Sequence, residues 1–168
     1  RLARLAALGL GCTAAIVLRR KPTDEGWDLI ASVGAQQGEG ALPLESAQKV
    51  AACQDPESIV MRTWREARSD APLMILNARE GSSTPCSCPL AGMPCFVGVQ
   101  LTEGATTVGL LCVFDVDARS EPFSAVALEQ LSLTAELLAS ELSTVPYTEI
   151  VTQNTLEMIS VHDMTPEG

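Results

Sequence analysis

Three thiols crowd one short stretch of this 168-residue chain: Cys86, Cys88 and Cys95, in the segment PCSCPLAGMPC. Loop thiols are more exposed and more readily ionised than buried ones, so a redox pair among these three is the first chemistry to weigh. Zinc is the second. A structural zinc site wants four ligands, commonly from Cys pairs two residues apart, and C-x-C-x6-C supplies three in a different pattern. The fourth would have to be Cys53, an acid or His162. The reading that asks least is three ordinary reduced thiols, and no metal site is expected. Cys12 and Cys112 lie in apolar runs and are expected to be buried small hydrophobes.

The remaining chemical inventory is thin. One His and one Tyr exclude a multi-histidine metal site and most histidine acid–base catalysis. Asp24-Glu25, Asp115 and Asp117, and Glu57 fall in turns or on solvated faces, with no neighbour that suggests a general acid–base pair. There is no glycine-rich phosphate loop and no nucleophile motif. No catalytic residue and no cofactor follow from the sequence.

The elements that would position these residues read from periodicity and turn signals. Leu2–Leu10 is predicted helical, with Leu2, Leu5, Ala6 and Gly9 on one face. Thr13–Leu18 and Trp27–Val33 read as two strands of a hairpin across the turn 19–26. The segment 34–40 is a loop, and Pro43 keeps Leu42-Pro43-Leu44 extended. Two helical pieces follow, Ser46–Cys53 and one opened by Asp55 as N-cap with Pro56 in first position. In the second piece Ile59, Val60, Thr63, Trp64 and Ala67 share a face. Pro72–Asn77 is a short strand, and Arg79–Pro94 a long loop. Cys95–Leu101 and Thr107–Phe114 are strands joined by a glycine-containing hairpin; the second is apolar throughout, the pattern of an inner strand covered on both faces. The last helix spans Ser124–Ser143. Its Leu128, Leu131, Ala135, Leu138 and Leu142 form a seam, and Leu133 and Leu137 a second stripe beside it. One stripe can face the sheet and the other a partner helix, or both can be buried. Pro146 ends the helix, and 144–168 reads as an extended tail with apolar points at Tyr147 and Ile150.

Composition bounds the rest. Hydrophobic residues make up 46% and charged residues 19%, enough for one packed domain. The net charge of −10 and pI near 4.5 argue against nucleic acid and against anionic lipid. Mean hydropathy is +0.19. The apolar stretch Leu5–Leu18 falls short of the roughly 18–20 residues that span a bilayer, so no membrane span is expected, although Arg1 and Arg4 before it fit a signal segment. The first residue is Arg rather than Met, which fits a processed chain.

From Phe96 to Leu142 the sequence resembles the GAF domain family. Cys95-Phe96-Val97-Gly98-Val99-Gln100-Leu101 matches one strand motif, and Gly109-Leu110-Leu111-Cys112-Val113-Phe114-Asp115 the next. Arg119, Phe123 and the leucine-rich helix complete the match. The resemblance implies an α+β domain over 1–143: an antiparallel sheet of about five to six strands, with helices on one face and a C-terminal tail at 144–168. Asp115 and Arg119 are expected to cap the strand-to-helix turn and to pair. The family's ligand cleft would be lined by Met61, Trp64, Met74, Met93 and Phe96. The cyclic-nucleotide signature Asn-Lys-Phe-Asp-Glu is absent, and no Cys precedes His162 as bilin attachment would need.

What the resemblance implies for function is a sensor or adaptor module, of the signalling kind. The expected reading is a non-catalytic binding domain acting through protein contacts at Leu128, Leu131, Leu138, Leu142, Tyr147 and Ile150, with a protein partner or as a homodimer. An accessory subunit of a larger assembly, in a plastid or mitochondrion after presequence removal, fits that reading. Two alternatives stand beside it: a small-molecule sensor using the cleft, and a thiol redox enzyme resembling free methionine-sulfoxide reductase through Cys86, Cys88 and Cys95.

Overall fold

A computed structural model describes residues 1–23, 26–34, 43–68, 70–77 and 88–144. The elements in order are α1 (Leu2–Leu10), β1 (Ala14–Arg20), β2 (Trp27–Val33), α2 (Leu44–Ala52), α3 (Ile59–Glu66), β3 (Leu73–Ile75), a short 3-10 helix (Pro89–Gly92), β4 (Cys95–Glu103), β5 (Thr106–Asp115) and α4 (Ala125–Thr144). The tail, Cys86 and most of the predicted 79–94 loop lie outside the described residues, as do Tyr147, Ile150 and His162.

Five strands form one antiparallel sheet in the order β2-β1-β5-β4-β3. β5 is the middle strand, as its unbroken apolar run requires. Alternate residues of β1, β4 and β5 feed two separate cores. Ala15, Val17, Val97, Val99, Leu111 and Val113 pack under α1 and α4. Ala14, Ile16, Leu18, Phe96, Leu110, Cys112 and Phe114 pack under α2, α3 and the 3-10 helix. The helices therefore cover both faces of the sheet, not the one face that was expected. A middle strand apolar on both sides needs two lids, and the polar-looking α2 supplies one through Ala47, Val50 and Ala51.

Two local readings are also corrected. Asp55 does not cap α3. Its carboxylate accepts from the Glu57 amide at 2.9 Å and closes a turn, and Ser58 is the N-cap, its hydroxyl accepting from the Met61 amide at 3.2 Å. In α1 the buried face is Ala3, Ala6, Ala7 and Leu10, which leaves Leu5 outside. Small residues facing inward let the helix lie close to its neighbours. At its end Gly11 adopts a left-handed conformation (φ 63°), with Gly11 N–H donating to Leu8 O at 3.0 Å and Cys12 N–H to Ala7 O at 2.9 Å. This Schellman cap turns the chain so that Cys12 enters the α1–α4 core.

Glycine is needed at two close approaches, one between strand and helix and one between strands. A Cβ on Gly98 would stand 2.6 Å from both branches of the Thr63 side chain on α3, and one on Gly109 would run into the Leu18 carbonyl of β1. Gly98→Ala and Gly109→Ala are each expected to lower unfolding stability by about 1–3 kcal/mol through overpacking. Gly109→Ala should cost more, because the atom it meets is backbone. Urea denaturation checks both.

Candidate functional site

On the α2–α3 side, the sequence gives β1 an arginine at its end and β2 a tryptophan at its start, and the hairpin register pairs Arg20 with Trp27. α3 brings Trp64 to the same place. The two indoles meet edge to face at 5.1 Å, and the Arg20 guanidinium carbon lies 5.0 Å from the Trp27 ring and 4.8 Å from the Trp64 ring. α3 is anchored there by Gln100 of β4, whose amide donates to the Trp64 carbonyl at 2.6 Å while its oxygen accepts from Thr107 at 3.3 Å. Trp27 is buried, and among the described residues its indole N–H finds no acceptor. Of the three, the sequence singled out Trp64 but neither Arg20 nor Trp27, because nothing in the turn 19–26 signalled that two strand ends flank an indole on a helix.

The five cleft candidates do not converge. Trp64, Met93 and Phe96 belong to the α2–α3 core. Met74 pairs with Val97 in the β3–β4 ladder, so it projects toward the opposite face, where it is exposed. Met61 is half-buried. On the α2–α3 face the described residues are packed side chain to side chain: Phe96, Leu110 and Phe114 lie against Val50, Val60 and Leu90.

The predicted thiol cluster is likewise divided. Cys88 is buried in the α2–α3 core with Cys112, whose thiol is raised first by its own burial and then by Cys88. Cys95 is buried in the α1–α4 core, on the other side of the sheet. The sheet therefore separates Cys88 from Cys95. Cys12 joins Cys95 instead, across 83 positions of sequence (95 − 12). The Cys12 side chain holds the Cys95 thiol below its ordinary range, with Arg119 adding to this against the opposing effect of burial. Cys95, followed by burial, pushes Cys12 up, and the Cys12 thiol donates to the Leu10 carbonyl at 3.8 Å. Cys12 and Cys112 are buried, as their apolar surroundings suggested. Among the described residues, no group of three or more His, Cys, Asp or Glu side chains could hold a metal ion.

Arg119 ties this corner together. Its guanidinium donates to the Leu10 carbonyl at the C-terminus of α1, and its carbon lies 4.2 Å from the Phe123 ring that opens α4. Its amide donates to the Leu76 carbonyl, just past β3, at 2.8 Å. Asp115 caps the turn after β5, accepting from the Asp117 amide and the Thr13 hydroxyl, each at 3.3 Å. Asp115 thus serves the strand-to-helix turn as expected, but the Arg119 side chain goes to the end of α1 instead, and the expected pairing of the two is not formed.

The α4 seam is also resolved. Leu131, Leu138 and Leu142 are buried against the sheet and α1, with Leu128 half-buried beside them, so they are core rather than contact residues. Leu133 and Leu137 face outward.

No known family model and no curated protein matches this sequence. Solved structures do match in three dimensions. The GAF domain of an Acinetobacter phosphoenolpyruvate-protein phosphotransferase superposes with a TM-score of 0.59 at 17% identity, covering 84% of this chain and 78% of that one. The GAF domain of Thermosynechococcus elongatus PixJ, in its blue-light-absorbing form, gives 0.59 at 18% identity, covering 98% and 90%. The GAF-B domain of Mycobacterium smegmatis DevS gives 0.55 at 18% identity, covering 94% and 93%. The chain has a GAF-like fold.

Arg119→Met keeps most of the side-chain volume and removes the charged donors. It is expected to lower stability by about 2 kcal/mol, the scale of a charged hydrogen bond with its ring contact. The amides of α1 should then exchange with solvent faster than those of β5, which hydrogen-exchange mass spectrometry can read.

Proposed function

We propose that this chain is a GAF-like binding module without catalysis, an accessory subunit that works through protein contacts on the outer face of α1 and α4. One observation carries the reading. Of the six large apolar residues that stand exposed among the described residues, five lie on these two helices: Leu5, Leu8, Val126, Leu133 and Leu137, each 55–68% exposed. The sixth, Met74, is alone on the short strand β3. Scattered exposed leucines are ordinary; a contiguous patch marks a contact surface.

Helical spacing makes the patch continuous. Val126, Leu133 and Leu137 fall on one stripe of α4, and Gln130 sits on that stripe between them. Gly9 of α1 lies against Gln130, where a Cβ would be 3.5 Å from its side-chain oxygen. Leu5 and Leu8 flank that meeting point on α1. Around the stripe α4 exposes Glu129, Glu136 and Glu141 and carries no Lys or Arg. A second copy would bring acid against acid along α4, so the chemistry favours a different chain: an apolar ridge rimmed by Lys or Arg.

A small-molecule sensor is the second reading, favoured by the Trp27 indole N–H, buried without an acceptor beside Trp64 and Arg20. A ligand with an acceptor atom and a flat or anionic body would suit that corner.

Native mass spectrometry of the chain isolated gently from its source separates the two readings. The contact reading predicts a stoichiometric protein partner, lost at least tenfold in affinity with Leu133→Glu or Leu137→Glu while thermal unfolding stays unchanged. A stoichiometric small molecule with no protein partner, or full partner affinity in both variants, would contradict it.

A further inference from the structure

The charges on the contact face are sorted across it. On α1, Leu2, Leu5 and Gly9 follow one another at helical spacing and form the row beside α4, since Gly9 lies against Gln130. Arg1, Arg4 and Leu8 make the next row, one step further from α4. On α4, Val126, Leu133 and Leu137 form the apolar stripe. Glu129 and Glu136 stand on the side of that stripe away from Gln130, and so away from α1. From one margin to the other the face therefore runs acid, apolar, apolar, base. Arg4, Glu129 and Glu136 are all exposed. Among the described residues none of these three is held in an ion pair.

We propose, resting on the contact reading, that this face receives one amphipathic helix of another chain, laid along the line between α1 and α4. Its flank over Glu129 and Glu136 carries Lys or Arg, and its flank over Arg4 carries Asp or Glu. A helix fits because α1 and α4 satisfy their own backbone groups and offer no sheet edge. A strand laid on them would bury N–H and C=O groups without partners, whereas a helix brings its own already paired. A helix also presents a ridge, and two packed helices leave a groove between them. The stripe from Val126 to Leu137 is eleven residues of rise (137 − 126), about 16 Å, so about three turns of the partner reach its whole length. Anchors at i, i+3, i+4 and i+7 meet Leu133 and Leu137 on one side and Leu5 and Leu8 on the other. The flanking charges add little affinity while exposed; they select the partner and speed its approach. A second copy fits less well. Laid α4 on α4 it sets acid on acid, and its α1, nine residues and about 13 Å long, falls short of the stripe.

The test measures binding of stapled helical peptides, about four turns long, to the full chain by fluorescence anisotropy. All carry the same leucine stripe. Their flanks are Lys on one side and Glu on the other, Lys on both, or Glu on both. The mixed peptide is expected to bind tightest and the all-Glu peptide weakest, about tenfold apart at low salt and closer at high salt. Leu133→Glu should weaken the mixed peptide about tenfold. Glu129→Lys with Glu136→Lys should make the all-Glu peptide the tightest binder, and Arg4→Glu should make it the all-Lys peptide. All four positions are exposed, so thermal unfolding should be unchanged. Equal binding of the three peptides, an unaltered order in the charge variants, or dimerisation of the isolated chain that Leu133→Glu abolishes overturns the proposal. Where the peptides bind alike but Leu133→Glu still releases the native partner, the helix alone fails. Where that variant keeps its native partner, the contact reading fails with it.

Discussion

One arginine side chain joins parts of this fold that the sequence holds far apart. Arg119 caps the last carbonyl of α1 and lies over Phe123 at the start of α4. Its own amide holds the chain just past β3. A guanidinium suits this work because its donors are fixed in a plane and its flat face stacks on an aromatic ring. Its charge also complements the negative end of α1. With α1 held there, its alanine face can close on the sheet and on α4, and the leucines Leu5 and Leu8 are left outside beside the Leu133 stripe.

The sheet imposes the second constraint. β5 is apolar on both sides and sits in the middle, so both faces must be covered. α1 and α4 cover one, and α2, α3 and the 3-10 helix cover the other. Gly98 and Gly109 allow the covering elements and strands to approach at backbone distance. On the α2–α3 face the described side chains fill their own core, and the polar feature left over is the Trp27 indole beside Arg20. On the α4 face the core is equally full, but an outer layer of apolar side chains remains. That asymmetry is why the functional reading rests on contact rather than on a cleft.

The strands and the last helix were legible in the sequence because local pattern decides them. The uninterrupted run of β5, the β2 boundaries at Trp27 and Val33, and the seam of α4 all follow from alternation or helical spacing. What was not legible depends on which face a residue turns to and on what lies opposite. Met74 and Phe96 read alike as apolar cleft residues, yet ladder register puts them on opposite faces. Cys88 and Cys95 are near neighbours in sequence, and the sheet passes between them. Cys12 and Cys95 are remote in sequence, and the α1 cap turns Cys12 into the core that holds Cys95. In α4, spacing marked two stripes but could not say which was buried; the neighbouring α1 and sheet decide that Leu131, Leu138 and Leu142 go inward. Spacing put Asp55 at the cap of α3, but its carboxylate closes a turn on the Glu57 amide and Ser58 caps the helix instead.

Hydrogen exchange by mass spectrometry, comparing the isolated chain with the same chain in its native assembly, tests the central claim most directly. The account predicts added protection in 2–10 and 125–144, with the middle strand 106–115 unchanged. Protection confined to the segments around Trp27 and Trp64, with α1 and α4 exchanging as in the isolated chain, would contradict it.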